Sequence, residues 1–200
     1  AIAAKDALIR GAERAMVVDF DAHHGNGTQA AFLDDESLGF LSTHQGGIYP
    51  GTGHLEDAPH ARGRIINLPL PAFTGDIRFR QIAEEVITPF VRKFRPEMIF
   101  VSAGFDSHWS DPLTQLGLST QGFFEISRHL VELADQVCGG KIVFALEGGY
   151  DARNVAKGMD AVFLAEAGRE FTNGRGDLSP YPEPNIENLI QAVRELHQLD

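Results

Sequence analysis

The run Asp19-Phe20-Asp21-Ala22-His23 places two carboxylates and an imidazole at intervals of two. In an extended segment side chains alternate between faces, so these three share one side, with Asp21 and His23 able to converge on a cation while Asp19 lies deeper. Carboxylate oxygen and imidazole nitrogen suit a borderline divalent ion such as zinc, and a catalytic site uses three protein ligands so that one position stays open. Asp106, in Ala103-Gly104-Phe105-Asp106-Ser107-His108, is the candidate for the third. Taken alone, an Asp-x-Asp-x-His run serves equally well to cap a following helix. The metal reading gains from position: both runs, and Glu147-Gly148-Gly149-Tyr150, follow short apolar stretches that read as strands, and in open α/β sheets ligands bind beyond the carboxyl ends of strands.

Those strands need partners. Met16 to Phe20, Leu38 to Thr43, Arg64 to Leu70, Met98 to Ala103 and Lys141 to Leu146 are short β-rich runs suited to buried parallel strands. Between them lie helical patterns: Ala1 to Arg14, Gly27 or Thr28 to Leu33, Ile77 to Phe94 with Ile82, Val86, Phe90 and Phe94 every fourth residue, Thr120 to Cys138 behind a Ser119 or Thr120 cap, and Asn154 to Ala167 behind Asp151. Gln45 to Arg62 is a long glycine-rich loop of a kind more often functional than idle, Asn173 to Pro184 a connector, and Ile186 to His197 a last helix. Strands alternating with helices imply βαβ units, a mainly parallel sheet and helices on both faces, a three-layer α/β/α sandwich in one domain over 1–200.

Composition narrows the function. A formal charge of -11 and the lack of a basic run argue against direct nucleic acid binding, which needs clustered Lys and Arg. No stretch approaches the ~20 apolar residues of a membrane span and no leader resembles a signal peptide. Cys138 is the only cysteine, so no disulfide forms within the chain, and its helical setting suggests a buried, inert thiol. The expectation is a cytoplasmic protein. The chain begins at Ala1 within a helical pattern and reads as a piece of something longer.

Four motifs together, Asp19-x-Asp21-x-His23-His24-Gly25-Asn26-Gly27-Thr28-Gln29, Tyr49-Pro50-Gly51-Thr52-Gly53, Ala103-Gly104-Phe105-Asp106-Ser107-His108-x-x-Asp111-Pro112-Leu113 and Leu146-Glu147-Gly148-Gly149-Tyr150, resemble the signatures of the zinc-dependent histone deacetylase family in its class II-like and bacterial branch. The resemblance implies an arginase/deacetylase-like fold lacking its N-terminal portion and covers the chain to about Ala167. It makes Asp21, His23 and Asp106 the ligands of one Zn2+, and Tyr150 the residue whose hydroxyl meets the substrate carbonyl. Asp19 and Asn26 match positions that hydrogen-bond two family histidines lying further upstream. It further implies a structural K+ bound by Asp19, Asp21, His23, Ser42 and Thr43, a second monovalent site among main-chain oxygens near Phe32, Asp35, Leu38 and Arg64, and an acyl-lysine channel walled by Tyr49 and Leu113 with Gly148 and Gly149 beside it.

The implied activity is deacetylation of an acyl-lysine, or of an acylated amine: zinc polarises the amide carbonyl and brings bound water towards a pKa of ~7, and Tyr150 stabilises the developing oxyanion. Gly148 and Gly149 let the backbone bend so that this ring reaches the metal. The family's adjacent histidine pair is missing; His23-His24 already serves the metal motif. Three functions therefore stand: acetyl-lysine deacetylase, acetylpolyamine deacetylase, and a non-catalytic module that holds acyl-lysine; a dinuclear arginase-like site would need more carboxylates. A missing first part of the sheet would expose an edge and favour a homo-oligomer. Of the other histidines, His24 should face away from His23, His44 and His54 line the mouth, His108 stay off the metal, and His129 and His197 lie on the surface.

Overall fold

The computed structural model describes residues 1–172 and 177–199. Five strands, β1 (Ala15–Asp19), β2 (Leu38–Gln45), β3 (Ile65–Leu70), β4 (Met98–Ala103) and β5 (Ile142–Leu146), form one wholly parallel sheet in the order β3-β2-β1-β4-β5. From β1 the chain winds outward through β2 and β3, then crosses back to β4 and β5. The loops leaving β1 and β4 therefore part to opposite sides, and the crevice between them is the switch point where an open parallel sheet binds ligands.

Alternation along β1 divides the core. Ala15 and Val17 pack with Ala4, Phe32, Leu38 and Phe40 under α1 (Ile2–Ile9) and α2 (Asn26–Phe32). Met16 and Val18 face the larger core with α3 (Asp76–Ile82), α4 (Thr88–Phe94), α5 (Thr120–Cys138), α6 (Ala152–Glu166) and α7 (Glu187–His197). The result is the expected three-layer arrangement. No helix among the described residues is long and apolar enough to cross a membrane.

Local chemistry accounts for most boundaries. Ser119 caps α5 by accepting the Gly122 N–H at 3.2 Å, Gly139 ends it in the left-handed region at φ 64°, and the Asp151 carboxylate accepts the Arg153 and Asn154 N–H groups to open α6. Two expected helices differ. The first stops at Ile9, because Gly11 turns the chain at φ 106°. The pattern over Ile77 to Phe94 is helical throughout but widens to a π-turn over Ala83–Ile87. Pro89 follows it and has no N–H to donate, and the Ala83 carbonyl accepts both the Thr88 N–H and, at 2.9 Å, the Thr88 hydroxyl. The connector expected over Asn173 to Pro184 lies partly outside the described residues; in its described part the Glu183 carboxylate accepts the N–H groups of Gly75, Ile77 and Arg78 at the start of α3.

The strand β5 is an edge. Its residues are partly or fully exposed, with Val143 and Leu146 open to solvent beside Phe163 of α6.

Candidate metal centre

β1 ends at Asp19, so the backbone beyond it is not extended as the spacing suggested. Instead each aspartate folds the chain onto the N–H two residues on: Asp19 Oδ1 accepts from Asp21 N at 3.0 Å, and Asp21 Oδ1 from His23 N at 2.8 Å. Two such consecutive turns bring Asp21 and His23 together by side-chain-to-backbone bonding rather than by strand alternation. Asp106, carried past β4, reaches the same point from the other side of the crevice. His23 Nδ1 lies 2.9 Å from Asp106 Oδ2 and 3.2 Å from Asp21 Oδ1, and one ligand atom from each of the three residues falls within 4.8 Å of the others.

The remaining carboxylate oxygens are held by backbone. Gly148 N donates to Asp21 Oδ2 at 2.8 Å, and Ala22 N to Asp106 Oδ1 at 2.9 Å. Close approach requires the glycines: a Cβ on Gly148 would stand 2.4 Å from Asp106 Oδ2 and 2.6 Å from Asp21 Oδ2, and one on Gly104 would stand 2.1 Å from Asp21 Oδ2. Gly148 thus serves as a donor and a gap as well as a bend.

The electrostatics ask for a cation. Burial, and then the neighbouring Asp21 charge, push the Asp106 carboxyl upward, while hydrogen bonds first to Asp106 and then to Asp21 raise the His23 imidazole to about 10. Two carboxylates held this close lean on the His23 imidazole, and a divalent ion would satisfy both. This donor set fits zinc. Behind it Asp19 is buried, and its carboxyl is driven well above the usual range by burial and then by Asp21.

The rim is open. The rings of Tyr150 and Tyr49 stand edge-on to His23, with centroids at 6.3 Å and 6.4 Å, and both tyrosines are exposed, as is Leu113. Burial, then the Asp106 and Asp21 charges, raise the Tyr150 phenol, which keeps it protonated as a donor at neutral pH. Gly149, at φ 139°, turns the chain into Tyr150.

Several expected residues are placed elsewhere. Asn26 is exposed at the start of α2, outside the bonded cluster. His44 is buried, not at the mouth: it bonds Ser42 Oγ at 3.0 Å and the Gly53 carbonyl at 2.9 Å, and burial lowers it to about 4. His24 does face away, between Thr52 and Gln29. His197 is buried too, because the Gly63 N–H donates to its Nδ1 at 2.9 Å, and burial lowers it to about 4. His129 is half-buried against the Thr88 hydroxyl. His108 bonds Asp177, off the metal centre, and Cys138 is buried with its thiol pushed up. Of the residues implied for potassium, Asp19 pairs with Ser42 across β1 and β2, and the Thr43 hydroxyl donates to the Asp19 carbonyl at 3.2 Å. At the second implied monovalent site the Arg64 guanidinium donates to the carbonyls of Phe32, Asp35 and Leu33.

One contributor carried no assigned role in the sequence. Asp111 accepts the Tyr150 N–H at 3.0 Å with one oxygen and the Leu113 N–H at 2.8 Å with the other, joining two parts of the rim. The Asp111-Pro112 dipeptide is a turn signal that marks a structural role without revealing this partner.

The chain is similar to known deacetylases along nearly its whole length. The histone deacetylase domain model matches residues 1–165. The chain is 40% identical over 206 residues to histone deacetylase 14, chloroplastic, of Arabidopsis thaliana, covering 100% of this chain and 49% of that protein. It is 44% identical over 210 residues to a probable deacetylase of Archaeoglobus fulgidus, covering 98% and 58%. The crystal structure of the HDA15 HD domain superposes with a TM-score of 0.81 at 28% identity over 98% of this chain and 54% of that one, and the histone deacetylase Clr3 with 0.82 at 29% over 96% and 33%. The chain therefore spans about half the length of such curated relatives. On these grounds the chain belongs to the histone deacetylase family.

Proposed function

We propose that the chain acts on N-acyl amides, acetyl-lysine side chains foremost, with one zinc ion held by Asp21, His23 and Asp106 and a potassium ion held behind it around Asp19, Ser42 and Thr43. The observation that carries this reading is the convergence of three ligand atoms within 4.8 Å at the sheet's switch point, beside the exposed Tyr150. Zinc, when bound, supplies polarisation of the acyl carbonyl and an activated water.

The chain's own groups do the rest. Tyr49 and Tyr150 flank His23 and receive an acylated alkyl stem between their rings. The Tyr150 hydroxyl donates to the acyl oxygen as negative charge gathers there, a contribution of about 3 kcal/mol for one such donor. The Gly148 N–H holds Asp21 Oδ2 and the Ala22 N–H holds Asp106 Oδ1, which fixes the orientation of the two carboxylates that would hold the metal. Substrates are acylated lysines or amines, acetylpolyamines ranking second.

A second reading, a module that binds acyl-lysine without cleaving it, is favoured by the fate of five of the seven other imidazoles: His24, His44, His108, His129 and His197 all bond partners away from the cluster. No proton carrier for the departing amine is thereby identified among the described residues. Zinc-reconstituted protein with a fluorogenic acetyl-lysine peptide separates the two. Turnover abolished by Asp106→Ala supports the hydrolase, whereas hydroxamate binding without turnover supports the binding module.

A further inference from the structure

The last carbonyls of a helix have no intrahelical partner and present a concentrated negative end. At the end of α2, in the turn beyond it and at the first residue of β2, one side chain gathers four carbonyls. Arg64 Nη1 donates to the carbonyls of Phe32 at 2.7 Å and Asp35 at 3.0 Å and reaches Leu38 O at 3.4 Å, while Nη2 donates to Leu33 O at 2.5 Å. Arg64 stands just ahead of β3, and its own carbonyl accepts the Phe40 N–H at 2.9 Å, so its backbone is fixed in the sheet while its guanidinium is held half-buried in the turn.

A ring of converging main-chain oxygens without opposing charge is what a monovalent cation binds. Here the charge is covalently attached. We propose that the Arg64 guanidinium is the resident cation of this carbonyl cage, so that the chain needs no free potassium at the position where its family resemblance implies a second ion. Guanidinium suits the place because its charge is permanent and its planar donors reach several oxygens at once. Removing the side chain converts the cage into a vacant site for a monovalent ion. This inference is independent of the deacetylase reading and of the zinc centre.

Rubidium, located by its anomalous scattering in crystals grown from the unaltered chain, tests this without a variant: no peak is expected among the carbonyls of Phe32, Leu33, Asp35 and Leu38. A rubidium peak there, with the guanidinium turned away, overturns the proposal. In solution, Arg64→Gln is melted in potassium chloride and in choline chloride of equal ionic strength, with the unaltered chain's response to potassium subtracted. The variant is expected to lose about 5 °C in choline and to recover at least half of that in potassium. No loss, or a loss that potassium leaves unrestored, overturns the proposal.

Discussion

Asp111 and Tyr150 are joined by a 3.0 Å bond from the tyrosine's backbone N–H to the aspartate's carboxylate. The phenol proposed to meet the substrate thus has its backbone held by a group outside the Asp21, His23 and Asp106 cluster. The second oxygen of the same carboxylate holds Leu113, so one residue orients two sides of the opening.

Asp111→Ala leaves two N–H groups without their acceptor and frees the backbone at Tyr150. Turnover of an acetyl-lysine peptide should fall by about tenfold or more while zinc content stays at the unaltered level, and stability should fall by roughly 1–3 kcal/mol. Tyr150→Phe, which keeps the ring, should cost about a hundredfold or more in kcat with no loss of stability. Steady-state kinetics beside thermal melts check both.

Gly148→Ala should be far worse than an ordinary surface glycine change. Its Cβ would sit 2.4 Å from one liganding carboxylate and 2.6 Å from the other. The carboxylates must then spread, and a zinc titration should show affinity reduced by about tenfold or more. Gly27→Ala, where a Cβ meets nothing within 4 Å, is the matched control and should bind as the unaltered chain does.

The buried His197 gives the fold an acid-sensitive point. Its pKa in the folded chain is about 4 against an ordinary 6.5, so the unfolded chain takes up the proton first. Its stabilising contribution is complete above about pH 6.5 and is lost as pH falls towards 4, at up to ~1.4 kcal/mol per pH unit. In His197→Gln, which keeps an acceptor for the Gly63 N–H, the His197 share of that slope should vanish while the share of the buried His44 remains. Urea unfolding at pH 7, 6 and 5 for both chains reads the difference, which should grow in the variant's favour only on the acid side.

The exposed β5 edge makes self-association the expected behaviour of this chain. Ile142–Leu146 carries no charge or proline, the devices by which sheet edges are ordinarily blunted. Sedimentation velocity should show concentration-dependent association, and Val143→Lys should shift the chain towards monomer. A clean monomer for the unaltered chain removes the expectation.

The strands and the clustering of Asp21, His23 and Asp106 were legible because both depend on short-range signals. Apolar runs ending in Asp19 and Ala103 marked where the sheet stops and chemistry begins, and Asp21, His23 and Asp106 are residue types with few other reasons to cluster. The manner of their meeting was not legible: alternation along a strand suggested an extended segment, whereas local competition between the Asp carboxylates and the backbone bends it. His44 and His197 were misplaced for a related reason. A polar ring can be buried where the fold supplies it a backbone partner, and those partners, the Gly53 carbonyl for His44 and the Gly63 N–H for His197, are brought in only by the folded chain. Arg64 likewise read as a source of main-chain oxygen, and only the folded turn shows its side chain meeting the carbonyls of α2.

The central claim is that Asp21, His23 and Asp106 together hold one divalent ion. Elemental analysis of the purified chain after zinc reconstitution and exhaustive desalting tests it most directly, run beside Asp106→Ala and Asp21→Ala. One zinc per unaltered chain and a loss of most of it in either variant is the predicted result. An unaltered chain that retains no metal, or variants that keep a full equivalent, would contradict it.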